Sequence, residues 1–204
     1  RQDAIPDGDA IKVSLAEAIT RSELVLVTGG LGPTPDDITR ELTAEMLGLE
    51  LVEDESVIAE ISARFERSGK TMGESNRRQA MVPRGAQVLA NPHGTAPGLY
   101  IPKGVGGSGA HIFLLPGPPR ELKPMYEAEV LPRLRSLLDS ESGSIPVCRN
   151  HFFMGLGESE LAGKLEPKLG EHLDKFELGY CLKAGGIFVR CIGAAEIVDP
   201  LAET

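Results

Sequence analysis

An apolar run that ends in a glycine-rich turn constrains the fold of this chain more than any other feature. Residues 24–27 read Leu-Val-Leu-Val, which predicts a buried strand, and residues 28–32 continue as Thr-Gly-Gly-Leu-Gly. A helical pattern follows, with Ile38, Leu42 and Met46 on one face. A strand, a glycine turn and a helix start in this order bring backbone N–H groups together, and such groups bind anions.

Residues 28–39, which we call the glycine loop, also carry two adjacent carboxylates, Asp36 and Asp37. Carboxylates beside an anion site repel a phosphate unless a divalent cation lies between them. The loop therefore predicts a phosphate ester that binds together with a metal. A structural interpretation is also open, because Thr34, Pro35 and Asp37 fit a capping box. In that interpretation Thr34 is the N-cap and Pro35 is the first helical residue.

Composition and charge narrow the classes of partner. The net charge is −9, which argues against general nucleic-acid binding, since that depends on neutralising phosphates with Lys and Arg. No run approaches the ~18–20 apolar residues of a membrane helix, and the first residues lack the apolar segment of a signal peptide. The three cysteines lack C-x-x-C spacing, which favours small buried residues and a cytoplasmic location.

Helical and strand patterns alternate along the first two thirds of the chain, which predicts a mostly parallel sheet covered on both sides. A polar joint at 138–146 then precedes a β-α-β-β order. The predicted helices lie at 14–21 (with a capping box at Ser14 and Glu17), 35–48, 54–68, 124–138 and 158–169, and the predicted strands at 24–27, 87–90, 111–115, 147–154, 177–182 and 186–192.

Five ordered motifs carry a resemblance to a known family. They are the glycine loop, Asn-Arg-Arg-Gln-Ala at 76–80, Asn-Pro-His-Gly-Thr-Ala-Pro-Gly at 91–98, Leu-Leu-Pro-Gly-Pro-Pro-Arg-Glu-Leu-Lys-Pro-Met at 114–125 and Gly-Leu-Gly-Glu-Ser-Glu-Leu at 155–161. Together they resemble the molybdopterin-binding superfamily in its CinA (competence/damage-inducible) branch. The resemblance implies an α/β, three-layer, MoaB/MogA-like domain with a mostly parallel sheet at 1–140, followed by a small α+β KH-like domain at 146–204.

The resemblance also implies what this sequence lacks and how it assembles. The first strand and helix of the family are expected upstream of residue 1, and the C-terminal nicotinamide-nucleotide amidase domain is absent. Gly155 and Gly157 are followed by Glu158 and Glu160, which would repel a nucleic-acid backbone. The KH-like module is therefore expected to serve packing or dimerisation, which makes a homodimer the expected assembly.

The function that the resemblance implies is hydrolysis of the pyrophosphate of ADP-ribose, or of a similar small nucleotide, to AMP and a sugar phosphate. The expected cofactor is a divalent cation of the Mg²⁺, Mn²⁺ or Co²⁺ class. Two alternatives remain open at this point. One is a molybdopterin-binding or adenylylating protein of molybdenum-cofactor biosynthesis, and the other is a nucleotide-binding domain without turnover.

The resemblance assigns roles to residues by position. Asp37 and Asp36 are the expected catalytic residues and metal ligands, with Arg77, Arg78, Arg120 and Lys123 as candidate cations. The predicted substrate- and phosphate-binding residues are Thr28, Gly29, Gly30, Gly32, Thr34, Thr39, Asn76, Thr95, Gly98, Pro116, Gly117 and Pro118.

Several of these residues also have plain structural interpretations. Asn76 and Gln79 either recognise a base or ribose, or cap a local helix. Thr95 lies in residues 91–98, the second loop, which either contacts a further phosphate or forms a turn into a strand. Residues 116–118, the third loop, follow a predicted strand at the edge where ligands of α/β sheets collect. For Glu121, two interpretations are open. Its carboxylate either contacts a metal or ribose, or stabilises the first turn of the helix that follows the third loop.

Overall fold

The computed structural model describes residues 1–6, 8–139 and 146–200. These residues divide into two units, Arg1–Arg135 and Ser136–Thr204. The elements up to residue 139 are α1 (Asp9–Arg21), β1 (Leu24–Thr28), α2 (Thr39–Met46), β2 (Leu51–Glu53), α3 (Glu55–Arg67), α4 (Glu74–Arg77), β3 (Met81–Pro83), β4 (Gln87–Leu89), β5 (Gly98–Ile101), β6 (His111–Leu115), α5 (Pro119–Met125) and α6 (Leu131–Asp139), with a π-helical turn at Tyr126–Val130 between the last two.

The main sheet of the first unit has the strand order β1-β6-β5-β4. Strand β1 is at the end of this order and exposes Leu24 and Leu26, so the prediction of a buried strand is wrong for these two residues. Strands β1 and β6 are parallel, with Leu24 opposite His111, whereas β5 is antiparallel to both β6 and β4. The prediction of a mostly parallel sheet is therefore wrong, since one of the three pairings is parallel. Connection length is the reason: residues 90–97 and 102–110 are too short for the crossover of a dozen or more residues, roughly, that a parallel pair needs.

Helices cover both faces of this sheet, which confirms the three-layer α/β prediction. On one face, Ile112 and Leu114 of β6 pack with Leu15 of α1 in a buried cluster. On the other face, Phe113 of β6 packs with Met125 at the end of α5. Successive residues of a strand point to opposite faces, so one strand joins the two cores.

The starts of two helices differ from those predicted by the local sequence pattern. Helix α1 begins at Asp9, so Ser14 lies inside the helix and caps nothing. Helix α2 begins at Thr39 and not at Pro35. By contrast, α3 (Glu55–Arg67) and β6 confirm their predictions, and Asp54 caps α3 by accepting hydrogen bonds from two backbone N–H groups.

The second unit contains β7 (Val147–Phe153), α7 (Glu158–Leu169), β8 (Phe176–Lys183), β9 (Gly186–Gly193) and α8 (Ala195–Val198). Its antiparallel sheet has the order β7-β9-β8, and the predicted β-α-β-β order is confirmed. The KH-like assignment stays a prediction, and most of the predicted joint at 138–146 lies outside the described residues.

Cysteine burial follows the faces of this second sheet. Cys191 is buried, but Cys148 and Cys181 are exposed, so the prediction of buried cysteines is wrong for two of the three. Both exposed cysteines alternate along their strands with residues that pack into the core, which directs them to the opposite face. In the part of the chain that the structure describes, no helix has both the length and the apolar character to cross a membrane.

Candidate functional site

The glycine loop and the third loop leave the sheet side by side. Thr28 at the end of β1 lies opposite Leu115 at the end of β6, and the Gly29 N–H donates to the Leu115 carbonyl at 2.9 Å. A Cβ added to Gly117 would lie 3.4 Å from the Gly29 Cα. The two loops therefore meet where two parallel strands end, which is the edge at which ligands of α/β sheets collect.

Two glycines give the glycine loop its path. Gly29 and Gly30 have φ values of +96° and +68°, a region that residues with a Cβ rarely adopt. A side chain on Gly30 would also collide with the Thr39 hydroxyl. The Thr39 N–H donates to the Gly30 carbonyl at 3.1 Å, so the loop folds back on the start of α2. Both glycines are therefore required by the backbone itself.

Asp37 holds the far end of the glycine loop. Its Oδ2 atom accepts hydrogen bonds from the Thr34 N–H at 3.0 Å and from the Thr34 hydroxyl at 2.6 Å. The Asp37 N–H in turn donates to the Thr34 carbonyl at 3.0 Å. The bond from the Thr34 N–H to Asp37 is one of the two contacts of a capping box, but the reciprocal bond from the Asp37 N–H goes to the Thr34 carbonyl and not to its hydroxyl. The contacts close a turn before the helix, which starts two residues after Asp37. The capping-box interpretation is therefore correct about one of its two contacts and wrong about the helix start.

The Asp37 carboxyl is held in its ionised form. Burial by itself raises the pKa of this group, but the hydrogen bonds from Thr34 and Gly32, together with the positive charge of Arg40, outweigh it. The net result is a pKa below the ordinary value for an aspartate. Asp36, next to it, is exposed to solvent. One ionised and anchored carboxylate and one free carboxylate therefore stand at this end of the loop.

The backbone donors of the glycine loop are only partly free. The Gly29 N–H is used by the sheet, and the Gly32 and Thr34 N–H groups are used by Asp37. Among the described residues, the N–H groups of Gly30 and Leu31 have no hydrogen-bond partner. An anion at this loop would therefore meet two adjacent donors, one of them on the buried Leu31, rather than all of its glycines.

A buried ion pair between Arg40 and Glu41 follows the glycine loop and was not predicted from the sequence. Arg40 at the start of α2 is 1% exposed, and its Nη2 atom lies 2.7 Å from Glu41 Oε1, to which Arg78 also donates at 3.1 Å. The Arg40 Nε and Glu41 Oε2 atoms are buried without a partner in the described structure. Adjacent charged residues on a short helix are usually solvated, so no sequence signal announced this burial.

The polar groups of the second loop are used by its own structure. Asn91 donates from Nδ2 to the Ala96 carbonyl at 2.7 Å and to Glu121 Oε2 at 3.0 Å. Both Asn91 and Glu121 are 9% exposed, and Gly94 packs so closely on Glu121 that a Cβ would collide with its carboxylate. Glu121 thus anchors the second loop to α5, a role that the sequence analysis had not considered.

Residues from the Asn-Arg-Arg-Gln-Ala motif fill structural roles. The Gly73 N–H donates to Asn76 Oδ1 at 3.2 Å, which favours the helix-capping interpretation of Asn76. Gln79 is 1% exposed and donates to the Thr95 hydroxyl at 3.1 Å. Arg77 pairs with the exposed Glu53. The motif is therefore bonded to the second loop through Gln79.

The remaining predicted site residues differ in exposure. Gly98 is buried as the first residue of β5, where a Cβ would press on Met125 Sδ and lie 3.2 Å from the Leu114 carbonyl oxygen. A packing role accounts for it. Pro116 is buried, whereas Gly117 and Pro118 are exposed beside the glycine loop. The site that the structure assembles thus comprises the glycine loop and the third loop, with the second loop attached through Glu121.

The donor set limits what metal this site can hold. Among the described residues, no cluster of three or more His, Cys, Asp or Glu side chains is placed to hold a metal ion. One oxygen of Asp37 is already committed to Thr34. Mg²⁺ commonly takes one or two carboxylates and completes its shell with water and substrate phosphates. The residues present fit a cation shared with a phosphorylated ligand and do not fit a site built by protein alone.

Comparison with known proteins identifies the family of the chain. The family model described as "Probable molybdopterin binding domain" matches residues 1–136. A CinA-like protein of Akkermansia muciniphila is 43% identical over 194 residues, which are 95% of this chain and 45% of that protein, so the chain spans less than half of that relative. The crystal structure of the protein CinA, of unknown function, from Thermoplasma acidophilum matches with a TM-score of 0.54 and 34% identity, over 61% of this chain and 70% of that one. The chain therefore belongs to the family of probable molybdopterin binding domains, in the form found in CinA-like proteins.

Proposed function

We propose that this domain binds a small phosphorylated ligand with an aromatic heterocycle, of the molybdopterin or nucleotide class, at the glycine loop. The observation that carries the proposal is the pair of unused N–H groups on Gly30 and Leu31, beside the ionised Asp37 and next to the third loop. The family model over residues 1–136 supports the ligand class. We also propose that the domain forms a homodimer and is located in the cytoplasm.

Phosphate recognition at this loop relies on backbone geometry. The Gly30 and Leu31 N–H groups are adjacent donors, and hydrogen bonds to a charged acceptor are about twice as strong as neutral ones. The Thr28 side chain is exposed at the end of β1 and adds a hydroxyl donor at the same edge. Thr39 fixes the loop from the other side through its bond to the Gly30 carbonyl. The donors are therefore held in place before any ligand arrives.

Asp37 and Asp36 are the residues that would hold a divalent cation here. Such a cation, when bound, would act as a Lewis acid that neutralises the charge of the phosphate, and it would lower the pKa of a bound water. The residues of the chain make three contributions of their own. The hydrogen bonds from Thr34 and Gly32 hold the Asp37 carboxylate in one orientation and lower its pKa, the Arg40 charge adds to that lowering, and the glycine backbone orients the phosphate.

Hydrolysis of ADP-ribose to AMP and ribose 5-phosphate is the second candidate function. One observation favours turnover over binding alone: Asp37 stays ionised although it is partly buried, and the free carboxylate of Asp36 stands beside it. Binding without turnover requires no such pair of carboxylates at a phosphate site, because both carboxylates repel the ligand in the absence of a cation. Adenylylation of a pterin would use the same loop.

Calorimetric titration tests the binding proposal. The chain is titrated with ribose 5-phosphate, AMP and molybdopterin, with and without Mg²⁺. Gly30→Val is expected to abolish binding, because the side chain would displace Thr39 and the loop donors. Gly48→Val is the matched control, since Gly48 has a φ of +63° and open space around it. Binding that survives Gly30→Val would place the ligand elsewhere.

Product analysis separates turnover from binding. The chain is incubated with ADP-ribose in the presence of Mg²⁺, Mn²⁺ or Co²⁺, or of a chelator, and AMP is measured by chromatography. AMP that forms only with metal supports the hydrolase function. If the ligand binds in the titration but no AMP forms with any metal, the chain is a binding domain for that ligand and the hydrolase candidate is overturned.

A further inference from the structure

A groove of about 380 Å³ runs between α3 and the second loop. On the α3 side, Val57 and Ile61 are each 2% exposed and form the buried part of the wall, and Ala63 lies at the edge. On the opposite side, Pro92 and Pro97 contribute rigid apolar surface. Small-molecule sites span about 300–1,000 Å³ and are mostly apolar with a few polar groups, so the groove has the size and character of such a site.

The groove is connected to the proposed phosphate site by contacts that pass through the second loop and α5. Asn91 and Gly94 line the groove, and the same two residues contact Glu121 of α5. Helix α5 follows the third loop, in which Gly117 lies against Gly29 of the glycine loop. An unbroken line of contacts therefore leads from the phosphate-binding loop to the groove wall.

The groove is lined by two arginines, Arg64 and Arg67, which differ in whether they are already bonded within the chain. Arg64 donates to the carbonyls of Asn91 at 3.1 Å and Pro92 at 2.7 Å, which fixes the position of the second loop against α3. Arg67, three residues further along α3, lines the groove and is exposed. In the described part of the structure it forms no ion pair or hydrogen bond. A free guanidinium beside an apolar slot is suited to stack on a planar aromatic ring.

We infer that this groove binds the heterocyclic ring, purine or pterin, of the ligand whose phosphate the glycine loop binds, with Arg67 stacked on the ring. The inference rests on the proposed function and adds to it a specificity site. Pro92, Pro97 and Val57 give the ring a dry surface. Arg64 holds the two walls at a fixed separation, which favours a flat group over a bulky one.

Filling the groove tests the inference. The substitution Ala63→Trp places a large ring at the edge of the groove, and Ala59→Trp, on the same helix at an exposed position that does not line the groove, is the matched control. The chain contains no native tryptophan, so emission reports directly on the introduced residue. We expect a blue-shifted emission for the substitution at 63 and solvent-like emission for that at 59. Arg67→Ala removes the stacking group without filling the space.

The ligands are chosen to separate ring from phosphate. AMP carries both groups, ribose 5-phosphate carries only the phosphate, and neopterin carries a pterin ring without phosphate. We expect Ala63→Trp to weaken AMP or neopterin binding at least tenfold and Arg67→Ala to weaken it three- to tenfold. Ribose 5-phosphate binding is expected to stay within twofold in both variants, and all binding within twofold in Ala59→Trp.

Each outcome decides a separate point. Loss of AMP but not neopterin binding identifies a purine site, and the reverse identifies a pterin site. Equal weakening of AMP and ribose 5-phosphate, or no weakening of either, would overturn the groove assignment while leaving the phosphate site intact. Failure of the unmodified chain to bind any of the three ligands would overturn the proposed function, and the groove assignment with it.

Discussion

The glycine loop and the second loop look alike in sequence and differ in how they use their polar groups. Both contain glycine, proline and threonine, and both border the same sheet. In the glycine loop, the N–H groups of Gly30 and Leu31 are unused within the described structure, and Asp36 is exposed. In the second loop, Asn91 and Thr95 are already bonded to other parts of the chain.

This difference separates ligand binding from structural support. A polar group that is already paired inside the protein gains little from a ligand, because it must first give up its partner. A group whose partner must come from outside gains the full interaction. We therefore expect changes in the glycine loop to affect ligands first, and changes in the second loop to affect stability first.

The largest expected effect is on turnover. Asp37→Asn keeps the shape of the side chain but removes its charge, so metal-dependent AMP release is expected to fall by about 100-fold or more, as for other groups that act on a transition state. Asp36→Asn is the neighbouring control and should cost less, because Asp36 is exposed and not fixed by the loop. Equal losses in the two variants would contradict the special role of Asp37.

The next effect concerns the stability of the second loop. Asn91→Ala leaves the Ala96 carbonyl and the buried Glu121 carboxylate without their donor, so the free energy of unfolding is expected to fall by about 1–3 kcal/mol. Thermal and urea unfolding measure it. Ribose 5-phosphate binding should persist in the folded variant. A neutral Asn91→Ala would show that the second loop does not depend on these bonds.

A smaller effect is expected at the edge of the glycine loop. Thr28→Val removes an exposed hydroxyl, so ribose 5-phosphate binding should weaken about tenfold, or about 1.4 kcal/mol. Unfolding free energy should change by less than about 0.5 kcal/mol, as for most surface substitutions. Thr28→Ser restores the hydroxyl and should restore binding. If serine fails to rescue, the methyl group and not the hydroxyl is what the ligand contacts.

The smallest effect is a pH dependence. The pKa of Asp37 is lowered in the folded chain, so the unfolded state binds more protons, and the ionised carboxylate stabilises the fold above its unfolded pKa of about 3.9. That stabilisation is lost as the pH falls through the lower folded value. The stability difference between the unmodified chain and Asp37→Asn should therefore be constant above about pH 5 and shrink below about pH 4. A difference that grows in acid would refute the assignment.

Much of the fold follows from periodicity. The strand at 111–115 and the helix at 158–169 were predicted with their observed bounds, because long, strongly patterned segments carry enough apolar contacts to fix their own conformation. Strands β2 and β3 have three residues each and were not predicted, whereas β4, which is equally short, was predicted at 87–90. Strand β5 is antiparallel to its neighbours because the connections on both sides of it are short. The alternation of helices and strands elsewhere in the chain had predicted parallel pairing.

The site was predictable in its location but not in its bonding. The carboxyl ends of β1 and β6 were expected to hold the ligand loops, and the loops meet there. The turn closed by Thr34 and Asp37 has the same residue pattern as a helix cap, so local sequence does not distinguish the two. The use of Glu121 as an anchor and the pairing of Glu41 with Arg78 depend on contacts 30 or more residues apart in sequence.

Amide chemical shifts measured during titration with ribose 5-phosphate test the central claim most directly. If the glycine loop binds the phosphate through its unused N–H groups, the Gly30 and Leu31 amide signals should move most, while the Thr95 and Asn91 signals move little. Largest shifts in the second loop, with Gly30 and Leu31 unmoved at saturation, would contradict the assignment of phosphate binding to the glycine loop.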